Sequence, residues 1–324
     1  MRFTRPLALF LYRYSWLRSG DIFAPRNFST LPFVTLLCYT LFSIITEVYS
    51  LQKIIYTTEQ LVKTLARISE NAKTKLPLLF VRVRNRSQLK RLPVLLGGLT
   101  ELLTGVIFPK FDLSNAADYC ALVGDINSNR SVPLYFMPLL ESADVMNLAS
   151  RNRALFEIRE TLDACKEYVL NIRVGALDFC GLYGLRRTVR RSIYDIGVVQ
   201  SVLTDILTVF ADSYVVSAPV WEYFQGPYDD ESWATGLENE LSLDAANGFI
   251  GKTVIHPSQI PIVKKWLQPT RADYEDAKAI LEWNDTALGV AKSVGGNRMN
   301  EAAVHKKWAR KILIMANIHG VRDL

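Results

Sequence analysis

PLYFMPLLESADVMNLASRNRALFEIRETLDACKEYVLNIRVGALD, residues 133–178, reads as strand, helix, strand. An apolar run, PLYFMPLL (133–140), ends at Glu141. SADVMNLASRNRALFEIRETLDA (142–164) then carries an amphipathic helical pattern, and a second apolar run, YVLNIRVG (168–175), follows it. Short β-rich runs alternating with longer helical stretches mark a parallel α/β fold. Each strand is closed by an acid: Glu141 ends the first directly, and Asp178 follows the second just past its glycine.

The same alternation extends in both directions. DIFAP (21–25), FVTLLCY (33–39), PLLFVRV (77–83) and GVIFP (105–109) read as strands before this unit, and SYVVSAP (213–219) and KTVIHP (252–257) as strands after it. TEQLVKTLARISENAK (58–73) reads as one of the intervening helices. Eight strand–helix units in about 250 residues is the size of a (β/α)8 TIM barrel. The expected organisation is a basic, apolar N-terminal segment (1–20), a barrel (21–268) and a C-terminal helical extension (269–324) serving as lid or oligomerisation segment. Within that extension GVAKSVGGNRMNE (289–301) is a Gly-rich break, a candidate hinge or lid loop. DDESWATGLENE (229–240) reads as a polar, acidic insertion on the surface.

Composition narrows the function classes. The 324 residues are 49% apolar and 22% charged, so a sizeable core is expected and global disorder is not. The net charge of +6 owes much to Arg2, Arg5, Arg13 and Arg18, which precede the first acid, Asp21. The rest is near neutral, which argues against a nucleic-acid partner. Cys38, Cys120, Cys165 and Cys180 form no C-x-x-C pair and read as reduced thiols of a cytoplasmic protein. His256, His305 and His319 make no zinc pattern. Residues 27–46 carry no charge and roughly match the length of a membrane span of about 20 residues. Pro32 and several polar residues there favour a buried strand plus helix instead, so membrane attachment is not expected.

In a barrel the chemistry sits at the C-terminal ends of the strands. Those positions hold Arg82, Arg84, Lys110, Glu141, Asp178, Ser217 and His256. Two carboxylates on adjacent strand ends face one mouth, and hard oxygen donors suit Mg2+, which keeps positions open for water and substrate. Either acid could instead serve a helix N-terminus. Arg82 and Arg84, two apart, share a strand face; one could grip a carboxylate or enolate oxygen with its paired donors, or both could lie on the rim. Lys110 could bind a substrate anion or cap the sheet. LRRTVRRS (185–192), with Arg186 and Arg187, could hold phosphates, although a solvated helix face is the commoner origin of such a run. His256 could be a ligand or base, or a hydrogen-bonded structural residue.

Five segments, in order, resemble the citrate lyase beta-subunit and HpcH/HpaI aldolase family: VRVRN (81–85), VIFPK (106–110), PLLES (138–142), VGALDF (174–179) and GKTVIHPSQI (251–260). Within it, LNIRVGALDFCGLYGLRR and YVVSAPVWEYF look most like a branch of carbon–carbon bond lyases of the barrel fold. The resemblance implies a Mg2+-dependent lyase or aldolase acting on a 3-hydroxy acid or its acyl-CoA thioester through a stabilised enolate. It implies Glu141 and Asp178 as metal ligands and Arg82 as the oxyanion-holding arginine, and places Lys110 in the family's Pro-Lys segment; Arg186 and Arg187 could serve an acyl-CoA substrate, and Arg84 and His256 stay candidate substrate contacts from their strand-end positions alone. MNE (299–301) is similar to a C-terminal segment that closes over the site, often that of a neighbouring subunit, with Glu301 as the acid. A trimeric or hexameric homo-oligomer is implied as well. LLCYTLFSI (36–44) stands where the family carries an acidic segment and holds no acid. That departure motivates the alternative of a non-catalytic barrel acting as a metal- or ligand-binding subunit.

Overall fold

The computed structural model describes residues 51–70, 78–226, 230–283 and 289–323. The segment 1–20, the uncharged stretch 27–46 and the expected strands at 21–25 and 33–39 lie outside the described residues. Five parallel strands run side by side in chain order: β1 (Leu79–Arg82), β2 (Leu103–Phe108), β3 (Tyr135–Leu140), β4 (Ile172–Val174) and β5 (Val216–Ser217). Helix α1 (Leu51–Glu70) precedes them. The crossovers are α2 (Arg86–Leu96), α3 (Ala116–Asn127), the pair α4 (Ala143–Met146) and α5 (Arg151–Asp163), and the pair α6 (Ala176–Leu182) and α7 (Gly197–Phe210).

The alternation of side chains explains the layering. Val106, Phe108, Phe136, Leu140, Ile172, Val174 and Val216 join one apolar cluster with Leu89, Val123, Leu155, Ile158, Leu203 and Ile206 of the helices. Successive strand residues point to opposite faces, so Ile107, Met137, Leu139, Arg173 and Ser217 share the other face. They are also buried, yet lie outside that cluster. Parallel strands in sequential order, with helices packed on one face, form the singly wound arrangement of a barrel; a doubly wound sheet reverses its order and is covered on both faces. Among the described residues the sheet has five strands, and closure is not seen there.

The expected strand 252–257 is reduced to one parallel bridge, between Ala218 and Lys252. Lys252 is fully buried and its Nζ binds Glu240 and Asp244, each at 2.8 Å. Both acids come from α8 (Ser232–Asn247), which buries Leu237, Glu240, Leu241 and Asp244. Within the acidic segment 229–240, Glu240 alone among the described acids is buried, where it meets Lys252 and Arg187, while Asp230 and Glu231 stay on the surface as expected. The single helix expected over 142–164 is broken, because the Asn147 side chain accepts from the Ala149 amide at 3.0 Å and forms a turn between α4 and α5.

Beyond the sheet come α9 (Gln259–Trp266), α10 (Arg271–Leu281) and α11 (Ala302–His319). The stretch 289–301 is not a plain hinge loop. It holds an antiparallel hairpin of β6 (Val290–Lys292) and β7 (Met299–Glu301). Arg298 fastens it to α10 through Asp273 at 2.8 Å and Asp276 at 2.6 Å. No helix among the described residues is long and apolar enough to cross a membrane.

Candidate active site

Glu141 follows β3 and its side chain is only 3% exposed. Three neighbours set its position. The Lys110 amide donates to Oε1 at 2.9 Å. An Arg82 guanidinium nitrogen lies 3.5 Å from the same oxygen. On the other side Gly175 makes room: an added Cβ there would stand 2.4 Å from Oε2. The Gly175 amide in turn donates to the Leu140 carbonyl at 3.0 Å, which ties the turn after β4 to the end of β3.

Lys110 ends the turn after β2 with φ of 49°, in the left-handed region that lysine seldom adopts. The conformation is held by Asn115, whose Nδ2 donates to the Lys110 carbonyl at 2.9 Å. The turn aims the amide at Glu141 and lets the ammonium reach Asp178 Oδ1 at 3.1 Å. Asp178 lies in the first turn of α6, with its amide bonded to Gly175 O at 3.0 Å, and its side chain is 42% exposed. One lysine thus touches both acids.

Lys110 brings the two carboxyl groups together, its amide on Glu141 and its ammonium on Asp178. Burial raises the Glu141 carboxyl from its ordinary 4.5 to about 7, and the Asp178 charge pushes the same way. The Lys110 amide and Arg82 oppose this and are outweighed. Two acids forced together at the end of a sheet, one of them desolvated, are a donor set that a divalent cation would relieve. Among the described residues no cluster of three or more His, Cys, Asp or Glu side chains is placed to hold a metal. The chemistry of the pair still fits Mg2+, which takes few protein oxygens and completes its shell with water or substrate.

The remaining sequence candidates fall into different places. Arg84 lies beyond the end of β1 and is exposed; its amide donates to Gln88 Oε1 at 2.7 Å. Arg186 lines a recess with Leu177, Cys180, Leu185 and Glu222. Arg187, expected as an anion contact, is corrected by the structure: it is buried, pairs with Glu222 and Glu240, and stacks on Trp221 at 4.6 Å. Its donors are engaged by the protein itself. His256 stacks on Phe224 at 4.5 Å, and its Nδ1 lies 2.9 Å from Ser258 Oγ. Glu301 ends β7 and starts α11; its amide donates to His305 Nδ1 at 2.9 Å.

Sequence reading missed Arg173. It lies in β4 on the same face as Arg82, and burial lowers its pKa to about 10, with the Arg82 charge adding and Glu141 opposing. A cation inside an apolar strand, two residues before Gly175, was the available signal.

Fold and site together define a parallel α/β barrel protein with a carboxylate pair and an arginine at the C-terminal ends of its strands. The family model for carbon–carbon bond lyases of the TIM-barrel fold matches residues 45–321, and the chain belongs to that family. A citrate lyase from Burkholderia xenovorans LB400 is similar in structure, with a TM-score of 0.56 at 16% identity, over 76% of this chain and 74% of that one. The CitE protein of Mycobacterium tuberculosis, solved with magnesium, acetoacetate and coenzyme A, has a TM-score of 0.47 at 22% identity, over 74% of this chain and 78% of that one. RipC from Yersinia pestis has a TM-score of 0.44 at 18% identity, over 60% of this chain and 79% of that one. A comparison with functionally curated proteins finds no match.

Proposed function

We propose that the protein is a Mg2+-dependent lyase or aldolase that makes or breaks a carbon–carbon bond in a 3-hydroxy acid or its acyl-CoA thioester. The observation that carries this reading is that Lys110 touches both Glu141, at 2.9 Å, and Asp178, at 3.1 Å, with Arg82 3.5 Å from Glu141 Oε1. In the cleavage direction the hydroxyl loses its proton and becomes a carbonyl. The broken bond's electron pair stays on the carbon next to the carboxyl group, as an enolate, which then takes up a proton. When bound, Mg2+ supplies Lewis-acid charge for the substrate carboxylate and its neighbouring oxygen.

Glu141 and Asp178 would hold the ion, and the Lys110 amide orients Glu141. Arg82, 37% exposed and fixed on the strand, would present its donors to the oxygen that gains charge. Glu301 is assigned the proton-donating acid, delivered by the C-terminal hairpin of a neighbouring copy in a trimer or hexamer. Arg186 is the member of the arginine run that would meet the phosphates of a thioester substrate; Arg84 and His256 are assigned to the rim of the same mouth. The cytoplasm is the compartment this reading assigns, consistent with the free thiols Cys120, Cys165 and Cys180.

Calorimetric titration with MgCl2, followed by a screen for released pyruvate, glyoxylate or acetyl-CoA, tests the proposal. Metal binding with turnover is expected. Metal binding without turnover across a broad panel would favour a non-catalytic binding barrel, the reading motivated by the acid-free stretch 36–44. Absence of metal binding would remove both.

A further inference from the structure

We propose that Arg173 is a second anion-recognition residue of this site, holding a distal carboxylate of a substrate whose other end is bound at Glu141 and Asp178. This rests on the metal-site reading above and adds to it a substrate class: dicarboxylates.

Position is the first argument. Arg173 pairs in register with Leu139, so it lies two residues deeper in the sheet than Glu141, about 7 Å along the strand. Leu139, Glu141 and Arg173 share the face opposite the helices, and Arg82 joins them through the register of β1, β2 and β3. A short dicarboxylate spans that separation.

Unspent hydrogen-bonding capacity is the second. Arg173 is 8% exposed, yet the one side-chain hydrogen bond it makes among the described residues is Nη2 to Thr253 Oγ1 at 2.8 Å. No carboxylate among the described residues lies within 4.0 Å of it. Other buried arginines differ: Arg151 has Asp205 at 2.9 Å, and Arg187 has Glu222 and Glu240. The other guanidinium nitrogens of Arg173 have no hydrogen-bond partner among the described residues. A buried guanidinium with free donors is costly unless an anion completes it.

Charge is the third. Arg82, Arg173 and Lys110 face two acids, and a divalent cation at those acids widens the positive excess. A dianion suits such a set of charges better than a monoanion. Burial depresses the Arg173 pKa to about 10, still well above neutrality, so the group stays cationic.

The test compares malate with lactate, which lacks the distal carboxylate, by calorimetry on the full chain in saturating MgCl2. In the wild type malate should bind at least about ten-fold tighter, the scale of one charge-assisted pair. In Arg173→Met the ratio should fall to within about two-fold, while lactate and Mg2+ affinities stay within about three-fold of wild type. Arg173→Lys keeps the charge without the two-pronged geometry and should give an intermediate ratio. A wild-type ratio below about two-fold, or a ratio unchanged in either folded variant, would overturn the proposal. If Arg173→Met fails to fold by circular dichroism, the wild-type ratio and the lysine variant decide. If Mg2+ alone produces no heat while the ratio still depends on Arg173, the subsite stands and the metal reading falls.

Discussion

Gly175 lies so close to Glu141 that a side chain could not be added without moving the acid: a Cβ would sit 2.4 Å from Oε2 and 2.6 Å from the Glu141 Cβ. The turn after β4 thereby sets the direction in which the last residue of the neighbouring strand end points. Gly175→Ala should cost about 1–3 kcal/mol of stability, the usual range for overpacking. It should weaken Mg2+ binding by more than about ten-fold, because the ligand is displaced. Urea melts and calorimetry measure the two effects; unaltered Mg2+ affinity in this variant would remove the positioning role of the glycine.

Asp178→Asn should abolish metal binding and metal-dependent turnover while leaving the fold intact, since its side chain is 42% exposed and its loss leaves no sealed cavity. Retention of wild-type turnover would overturn the assignment of Asp178 as ligand. Circular dichroism and activity on any substrate found by the screen check both parts.

The Glu141 carboxyl gives a pH dependence of defined sign. Its pKa rises from 4.5 to about 7 on folding, so protonation favours the folded state. In metal-free buffer its contribution is fully present below 4.5 and is lost as pH climbs through about 7, by up to about 3 kcal/mol. Glu141→Gln should flatten that part of the profile and melt at or above the wild-type temperature at pH 8 without metal. The same variant should lose the stabilisation that MgCl2 gives the wild type. Thermal melts at pH 5.5 and 8, with and without MgCl2, read out all of this. A wild type more stable at pH 8 than at pH 5.5 would contradict the assigned sign.

Lys252 offers a structural prediction independent of catalysis. It bonds Glu240 and Asp244 at 2.8 Å each, and all three are buried. Lys252→Met would leave Asp244 without its cation and Glu240 with Arg187 alone, which should cost about 3–5 kcal/mol. Loss of less than about 1 kcal/mol in a urea melt would show that water reaches the network.

Particular residues show how much was legible beforehand. The apolar runs 77–83, 133–140 and 168–175 announced a parallel sheet, because hydrophobic continuity is a local signal, and Glu141 and Asp178 stood out as charges just past two of them. The bridge at Lys252 was read as a full strand, since KTVIHP is apolar enough, and the sequence does not reveal that Lys252 turns toward α8. Glu240, at the end of the acidic segment 229–240, reads as a surface charge like its exposed neighbours Asp230 and Glu231: a charge is recognised as buried only when its partners are known, and Arg187 is distant in the chain. Arg187 was expected at the substrate for its company in the arginine run, while the structure uses its fork internally. The role of Lys110 was half visible. Its charge was noted, but the amide contact depends on a φ of 49° that no lysine advertises.

The division of β4 into two kinds of side chain carries a constraint on how this protein can change. Ile172 and Val174 face the helices, and Arg173 faces the opposite way. Removing a single residue from so short a strand would rotate the guanidinium into hydrocarbon and bring an isoleucine to the reacting end. Folding and chemistry would fail in one event, so this strand tolerates new side chains far more readily than a new length.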